Sequence, residues 1–253
     1  MLKNLKAILE TFDKIDTKAK STKRSAVPEN LFTLQEDFKK IYKEDSEQFH
    51  IIVAQLLFTT KRASPDIGTE VSFLTTRVRD PDQDDWLKLA HLIMYIRGTI
   101  DLTLTLSANG TGMLKLYVDG SYGVHPNMRG HSGFLLSMGT GFPTSSSTKH
   151  NLNTRSSTES DIFGVEDFMT SILWKRNFLN AQDDNVTENI IFQDKKSAVL
   201  LENNGKSSSV KRTKHINIRY FFVTDRIKEV EVTVDWCPTY DMTRDLFTKP
   251  NQG

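Results

Sequence analysis

Met113-Leu-Lys-Leu-Tyr-Val-Asp-Gly-Ser121 is the stretch on which the reading of the fold turns. Leu114, Leu116 and Val118 fall on one face at period two and Lys115 and Tyr117 on the other, the alternation of a half-buried β-strand. Asp119 stands at its C-terminal end, the end at which open α/β sheets present reactive groups. On this stretch alone Asp119-Gly120 reads first as a turn pair and only second as the site of a reactive carboxylate. The carboxylates that follow reverse that order: Glu159, Asp194 and Asp245 each fall on a later predicted element.

Working outward, the period changes from helical to alternating at Gly98. Leu102–Leu106 and Met113–Val118 read as a hairpin around the turn-prone 108–112 segment, with further strands over Gly133–Met138 and Pro143–Thr148. Ser156-Ser-Thr-Glu opens a long helix to about Asn180, with Ile162, Val165, Met169, Ile172 and Leu173 as its buried stripe. A short strand over Asn189–Phe192, helices over 195–202 and 215–228, a strand over 231–236 and a last helix over 242–248 complete an α/β order.

Upstream the pattern is helical. Residues 1–48 form a leader and connector, partly helical, and 49–100 form a helical region of at least three pieces. Phe49–Phe58 is apolar on all sides, which predicts a fully buried helix. Asp82 to Ile96 places acids in its first turn, where the helix dipole favours them. Trp86, Trp174 and Trp236 lie on apolar faces and are expected in the core.

Composition narrows the function classes. A formal net charge of +1 over 253 residues offers no bulk attraction for a polyanion. One cysteine, Cys237, excludes a disulfide framework and a cysteine-rich zinc site; it is expected buried. The six histidines show no paired ligand spacing, and His131 and His150 read as loop residues. No apolar run reaches the roughly 18 residues of a membrane span, so no membrane partner is expected and a soluble intracellular protein is the default. The basic run Lys206, Lys211, Arg212 and Lys214, followed by His215, is either a solvated loop or a contact for nucleic-acid phosphates.

Carboxylates gathered at one place raise one another's pKa unless cations share the site. A pair of Mg²⁺ ions about 3.5–4 Å apart is the common solution in nucleases and polymerases. Thirty-two acids leave room for coincidence, and helix capping alone accounts for Glu159.

The motifs LYVDGS, RGHSG, RSSTES, IIFQDKKSAVLLENNG, KRTKHINIRYFF and RDLFTKP, in that order, resemble the C-terminal ribonuclease H domain of Copia-type LTR retrotransposon polyproteins. FHIIVAQLLFTTKRASPDIGTEVSFL, DWLKLAHLIMYIRGT and DLTLTL resemble the region that joins polymerase to ribonuclease H in the same polyproteins. Together they run from about residue 49 to 251. The resemblance implies a ribonuclease H-like mixed sheet flanked by helices over 101–253. It implies two Mg²⁺ ions, with Mn²⁺ able to substitute, and cleavage of the RNA strand of an RNA–DNA hybrid. The reverse transcriptase core of the same polyprotein is the implied partner, in a cytoplasmic virus-like particle with a nuclear phase as the alternative. No polymerase Tyr-Val-Asp-Asp motif occurs in the chain.

Carried over by motif, Asp119, Asp194 and Asp245 match metal-binding acids. The helix acid is open between Glu159 and Asp161: the family segment resembles Ser-Thr-Glu-Ala-Glu-Tyr, and two residues along a helix point about 200° apart. The second acid is the better match, which substitutes a shorter Asp161 for a glutamate. Lys195-Lys196 stands where the family has Asn-Gln, and a lysine there competes with a cation unless the helix start turns it outward. These departures support a second expectation, a catalytically decayed, nucleic-acid-binding or inert remnant. Integrase-like strand transfer is a weaker third, because the acid set ends on Asp245 rather than on a helix glutamate.

Overall fold

In the computed structural model the residues described are 1–16, 26, 28, 30–35, 37–205, 217–238 and 241–242. The chain divides into two compact units, one built on Met1–Leu104 and one on Thr105–Thr248.

The first unit is helical: α1 (Leu2–Asp13), α2 (Lys43–Thr60), α3 (Gly68–Thr75) and α4 (Gln83–Thr99). One core joins them, from Ile8 and Phe12 of α1 through Phe49, Ile52 and Leu56 to Phe73 and Leu92. Trp86 stacks on Phe12 at 5.7 Å between ring centroids. A reciprocal capping box starts α4: Asp82 accepts from the Asp85 N–H and Asp85 from the Asp82 N–H, while Arg77 pairs with both carboxylates. The expectation of a helix buried on every side at Phe49–Phe58 fails. Only the Phe49, Ile52, Val53 and Leu56 face is covered, and Ile51 and Phe58 lie exposed.

The second unit is a five-stranded mixed sheet with helices. Its strands are β2 (Met113–Ser121), β3 (His131–Ser137), β5 (Thr144–Lys149), β6 (Glu188–Gln193) and β7 (Thr233–Trp236), in the order β5-β3-β2-β6-β7. The meander β2–β3–β5 is antiparallel, and β6 joins β2 and then β7 in parallel. A parallel neighbour requires a crossover, and α5 (Ser157–Asn180) supplies it. The Leu114, Leu116 and Val118 face of β2 packs on Val165, Phe168, Met169 and Ile172 of α5. This is the period-two face meeting the 3.6-period stripe that the sequence shows. Helices α6 (Lys196–Asn204) and α7 (Asn217–Lys228) follow β6.

The expected hairpin between 102–106 and 113–118 does not form. Instead β1 (Ser107–Ala108) pairs with β4 (Gly139–Thr140) in a separate two-stranded ribbon, and β2 takes β3 as its hairpin partner. The longer pairing wins: seven residue pairs register between β2 and β3. Pro143 precedes β5, an edge strand of the sheet, where its missing N–H breaks no ladder bond. Trp174 and Trp236 are not core residues. They are 59% and 44% exposed, respectively, against the sequence expectation.

Candidate active site

Asp119-Gly120 is not a turn. Strand β2 continues through both residues to Ser121, with Asp119 opposite Gly133 and Gly120 opposite Ser132 of β3. The glycine serves a different need. A Cβ at Gly120 would lie 2.5 Å from the Ser160 carbonyl oxygen, so only the absence of a side chain lets the first turn of α5 touch the strand. Gly164, one turn further along α5, approaches Val118 and Ser132 in the same way.

That contact places the two helix acids differently. Asp161 reaches the end of β2, where its Oδ1 accepts the Gly120 N–H at 3.2 Å, and the residue is only 5% exposed. Glu159 folds back on the helix start: its Oε2 accepts the Arg155 N–H at 2.6 Å, while the Ser156 hydroxyl caps the Glu159 N–H at 3.1 Å. Asp161 therefore meets the backbone at the end of β2 next to Asp119 in the chain, whereas Glu159 bonds the start of its own helix. Asp119 is itself buried, at 4% exposure.

Asp194 comes to the same end of the sheet through strand register. Parallel pairing matches Tyr117 with Phe192, so two residues further on Asp119 and Asp194 leave adjacent strands at the same level. The turn after β6 is held on both sides. The Trp236 indole N–H donates to the Asp194 carbonyl at 2.8 Å, and the Cys237 N–H donates to the Gln193 carbonyl at 2.7 Å. Cys237 is buried, as expected. From beneath, the Gln193 amide donates to the Asp161 carbonyl at 3.0 Å.

Asp245 lies outside the described residues, as do Lys206, Lys211, Arg212, Lys214 and His215. Among the described residues no three or more His, Cys, Asp or Glu side chains are grouped to hold a metal ion. In donor chemistry, Asp119, Asp161 and Asp194 do fit a hard divalent cation, for they offer only carboxylate oxygens.

Three features of the site region were not apparent from sequence. The first is the direction of the two lysines. Lys196 turns outward over the Trp236 ring at 4.3 Å, whereas Lys195 turns inward, with Nζ 3.5 Å from Asp161 Oδ2 and donating to the Ser157 hydroxyl. The second is Glu202 of α6, fully buried and with neither carboxylate oxygen hydrogen-bonded. Burial first, and the Asp161 charge second, push its pKa up to about 8. The helical spacing of the apolar residues around it was the available signal, since position 202 falls on the inward face of α6.

The third is a buried histidine network. His131 does not sit in a loop; it opens β3, and its Nδ1 is 3.0 Å from His125 Nε2 while its Nε2 is 2.6 Å from the Ser147 hydroxyl. His150 does lie in a loop, but buried, bonded to the Ser132 hydroxyl and packed on Phe163. Burial holds His125 down to about 3 and His131 well below the ordinary histidine range, with neighbouring histidines and Lys149 adding to both. Uncharged rings hold the β3–β5 end of the sheet together beside Ser121.

An antiparallel three-strand meander, a long crossover helix and two parallel strands, with acids at the ends of the first and fourth main strands and on the helix, define a ribonuclease H-like domain. The chain is similar in sequence to retrovirus-related Pol polyproteins of plant transposons. It is 24% identical over 198 residues to that of transposon TNT 1-94 of Nicotiana tabacum, covering 78% of this chain. It is 26% identical over 208 residues to that of transposon RE2 of Arabidopsis thaliana, covering 81%. The match spans only 14–15% of the length of those relatives. No protein-family model matches the chain. Solved structures that resemble it include RNase H1 of Halobacterium salinarum NRC-1, at 11% identity and a TM-score of 0.39 over 54% of this chain and 94% of that one. Another is the foamy viral protease-reverse transcriptase in complex with an RNA/DNA hybrid, at 11% identity and a TM-score of 0.45 over 96% of this chain and 28% of that one.

Proposed function

We propose that the Thr105–Thr248 unit is the ribonuclease H domain of a Copia-type retroelement reverse transcriptase, hydrolysing the RNA strand of RNA–DNA hybrids with Mg²⁺. The observation that supports this most is the bond from the Gly120 N–H at the end of β2 to Asp161, together with the β2–β6 register that brings Asp194 out of the sheet at the level of Asp119. Asp119, Asp161 and Asp194, with Asp245 of the family motif, are the residues that would hold the cations. Bound there, Mg²⁺ would supply electrostatic activation of a water and neutralise charge on the leaving oxygen.

The chain's own groups set the stage for that chemistry. Gly120 donates to Asp161 and so orients its carboxylate, and Gln193 fixes the helix backbone behind it. The anchored turn after β6 holds Asp194 at the level of Asp119. The phosphates of the hybrid would meet Lys206, Lys211, Arg212, Lys214 and His215, and the working partner would be the polymerase core of the same polyprotein. The proposed setting is the cytoplasmic particle in which reverse transcription runs.

A labelled RNA–DNA hybrid incubated with the full chain and Mg²⁺ tests this. Cleavage of the RNA strand, lost in Asp119→Asn and Asp194→Asn variants that keep their circular dichroism, is the expected result. A well-folded wild type that leaves the hybrid intact sinks the proposal. That outcome would favour the second reading, a decayed remnant, which draws its support from Lys195 lying against Asp161.

A further inference from the structure

We infer that Lys195 is a tethered cation, an internal competitor that sets how much divalent metal the acid site needs before it fills. This rests on the proposed Mg²⁺ reading of Asp119, Asp161 and Asp194. The carboxylate of Asp161 meets both a donor and a cation: Oδ1 faces the Gly120 N–H at 3.2 Å, and Oδ2 faces the Lys195 ammonium at 3.5 Å. The ammonium is further pinned by the Ser157 hydroxyl in the first turn of α5.

The tether is short and has a defined root. Lys195 occupies the N-cap position of α6 with extended backbone, immediately after Asp194, so its side chain starts at one acid and ends at another. Lys196, one residue on, is carried away over Trp236 by the turn of the helix. Only the first of the two lysines can therefore serve Asp161. Its side chain is 30% exposed against 7% for Asp161, so solvent screens the pair in part but does not remove it.

The physical consequence follows from charge. An ammonium carries one positive charge and three donors, enough to neutralise one carboxylate but not to bridge several. Asp161, were it to hold a divalent ion, would do so against a like charge already beside its Oδ2. The same contact makes the site less dependent on metal for its shape, because Asp161 has a counter-charge of its own.

Isothermal titration calorimetry with MgCl₂ on the whole chain separates the possibilities, using wild type, Lys195→Met and Lys195→Arg. The methionine keeps the stem and removes the charge, and the arginine keeps the charge. Mg²⁺ should bind at least about tenfold more tightly to Lys195→Met than to wild type, and Lys195→Arg should stay near wild type. The Mg²⁺-induced rise in melting temperature should follow the same order. Ser157→Ala leaves the α6 start untouched and should give an intermediate gain by loosening the ammonium. It carries the test should Lys195→Met misfold. Equal Mg²⁺ affinity in wild type and Lys195→Met overturns the tethered cation while leaving the Mg²⁺ reading in place. No Mg²⁺ binding by any of the proteins overturns both.

Discussion

At the scale of single residues, the informative pair is Glu159 and Asp161, one helical residue apart from being neighbours and opposite in role. Two positions along a helix differ by about 200°, so a strand end that meets one cannot meet the other. Asp161→Asn is accordingly expected to abolish hybrid cleavage with little change in melting temperature. Glu159→Gln should leave cleavage within a small factor of wild type and cost roughly 0.5–1 kcal/mol of stability through the weakened helix start. Rates and thermal unfolding measured side by side distinguish them. Loss of cleavage in Glu159→Gln alone would reverse the assignment. In sequence, both acids were candidates because the motif contains both; the decision needed the hydrogen bond from Gly120, which joins residues far apart in the chain.

At the scale of elements, the contact of α5 on β2 places the chemistry. Two glycines lie at that contact, Gly120 on the strand against the Ser160 carbonyl and Gly164 on the helix against the Val118 and Ser132 side chains. Gly120→Ala would drive a Cβ to 2.5 Å from the Ser160 carbonyl oxygen, a backbone atom that cannot swing aside. The helix must back away, at a cost of roughly 1–3 kcal/mol, carrying Asp161 off the strand end. Denaturant unfolding should show that loss, and cleavage should fall more than stability alone explains. An alanine variant as stable and as active as wild type would mean that the helix start is not held by this contact. Element types were legible from period and capping. Partners of the short segments were not: residues 102–106 alternate well enough for a strand, yet the pairing went to Ser107–Ala108 and a distant Gly139–Thr140. Alternation reports which faces differ in polarity and is silent on which strand will be beside it.

At the scale of the molecule, buried groups of opposite type shape the pH dependence of the Thr105–Thr248 unit. His125 and His131 have pKa values depressed by burial, so the unfolded chain binds more protons below the ordinary histidine value of 6.5, and stability is lost as pH falls from there. Glu202 is raised from 4.5 to about 8, so the folded chain keeps a proton the unfolded chain has released, and stability is lost as pH rises across that window. Between 4.5 and 6.5 two histidines outweigh one glutamate, and above 6.5 the glutamate acts alone. Stability should therefore peak near pH 6.5. Glu202→Gln should flatten the alkaline decline and raise stability at about pH 8 by a few kcal/mol. Melting temperatures across about pH 5 to 9 check this; an unchanged alkaline slope in the variant would refute the role given to Glu202.

What the sequence alone determined is the order and type of most of the main elements and the resemblance the motifs carry. Those follow from local rules: period, capping, turn chemistry and the spacing of reactive residue types. Contacts across the fold set which helix acid meets the strand, that Asp119-Gly120 continues a strand rather than turning, that Trp174 and Trp236 face outward, and that Lys195 reaches Asp161 while Lys196 lies over Trp236. Each of these is set by a contact between segments distant in the chain, where fractions of an ångström and the direction of one side chain matter. A pattern of residue types along a line does not encode them.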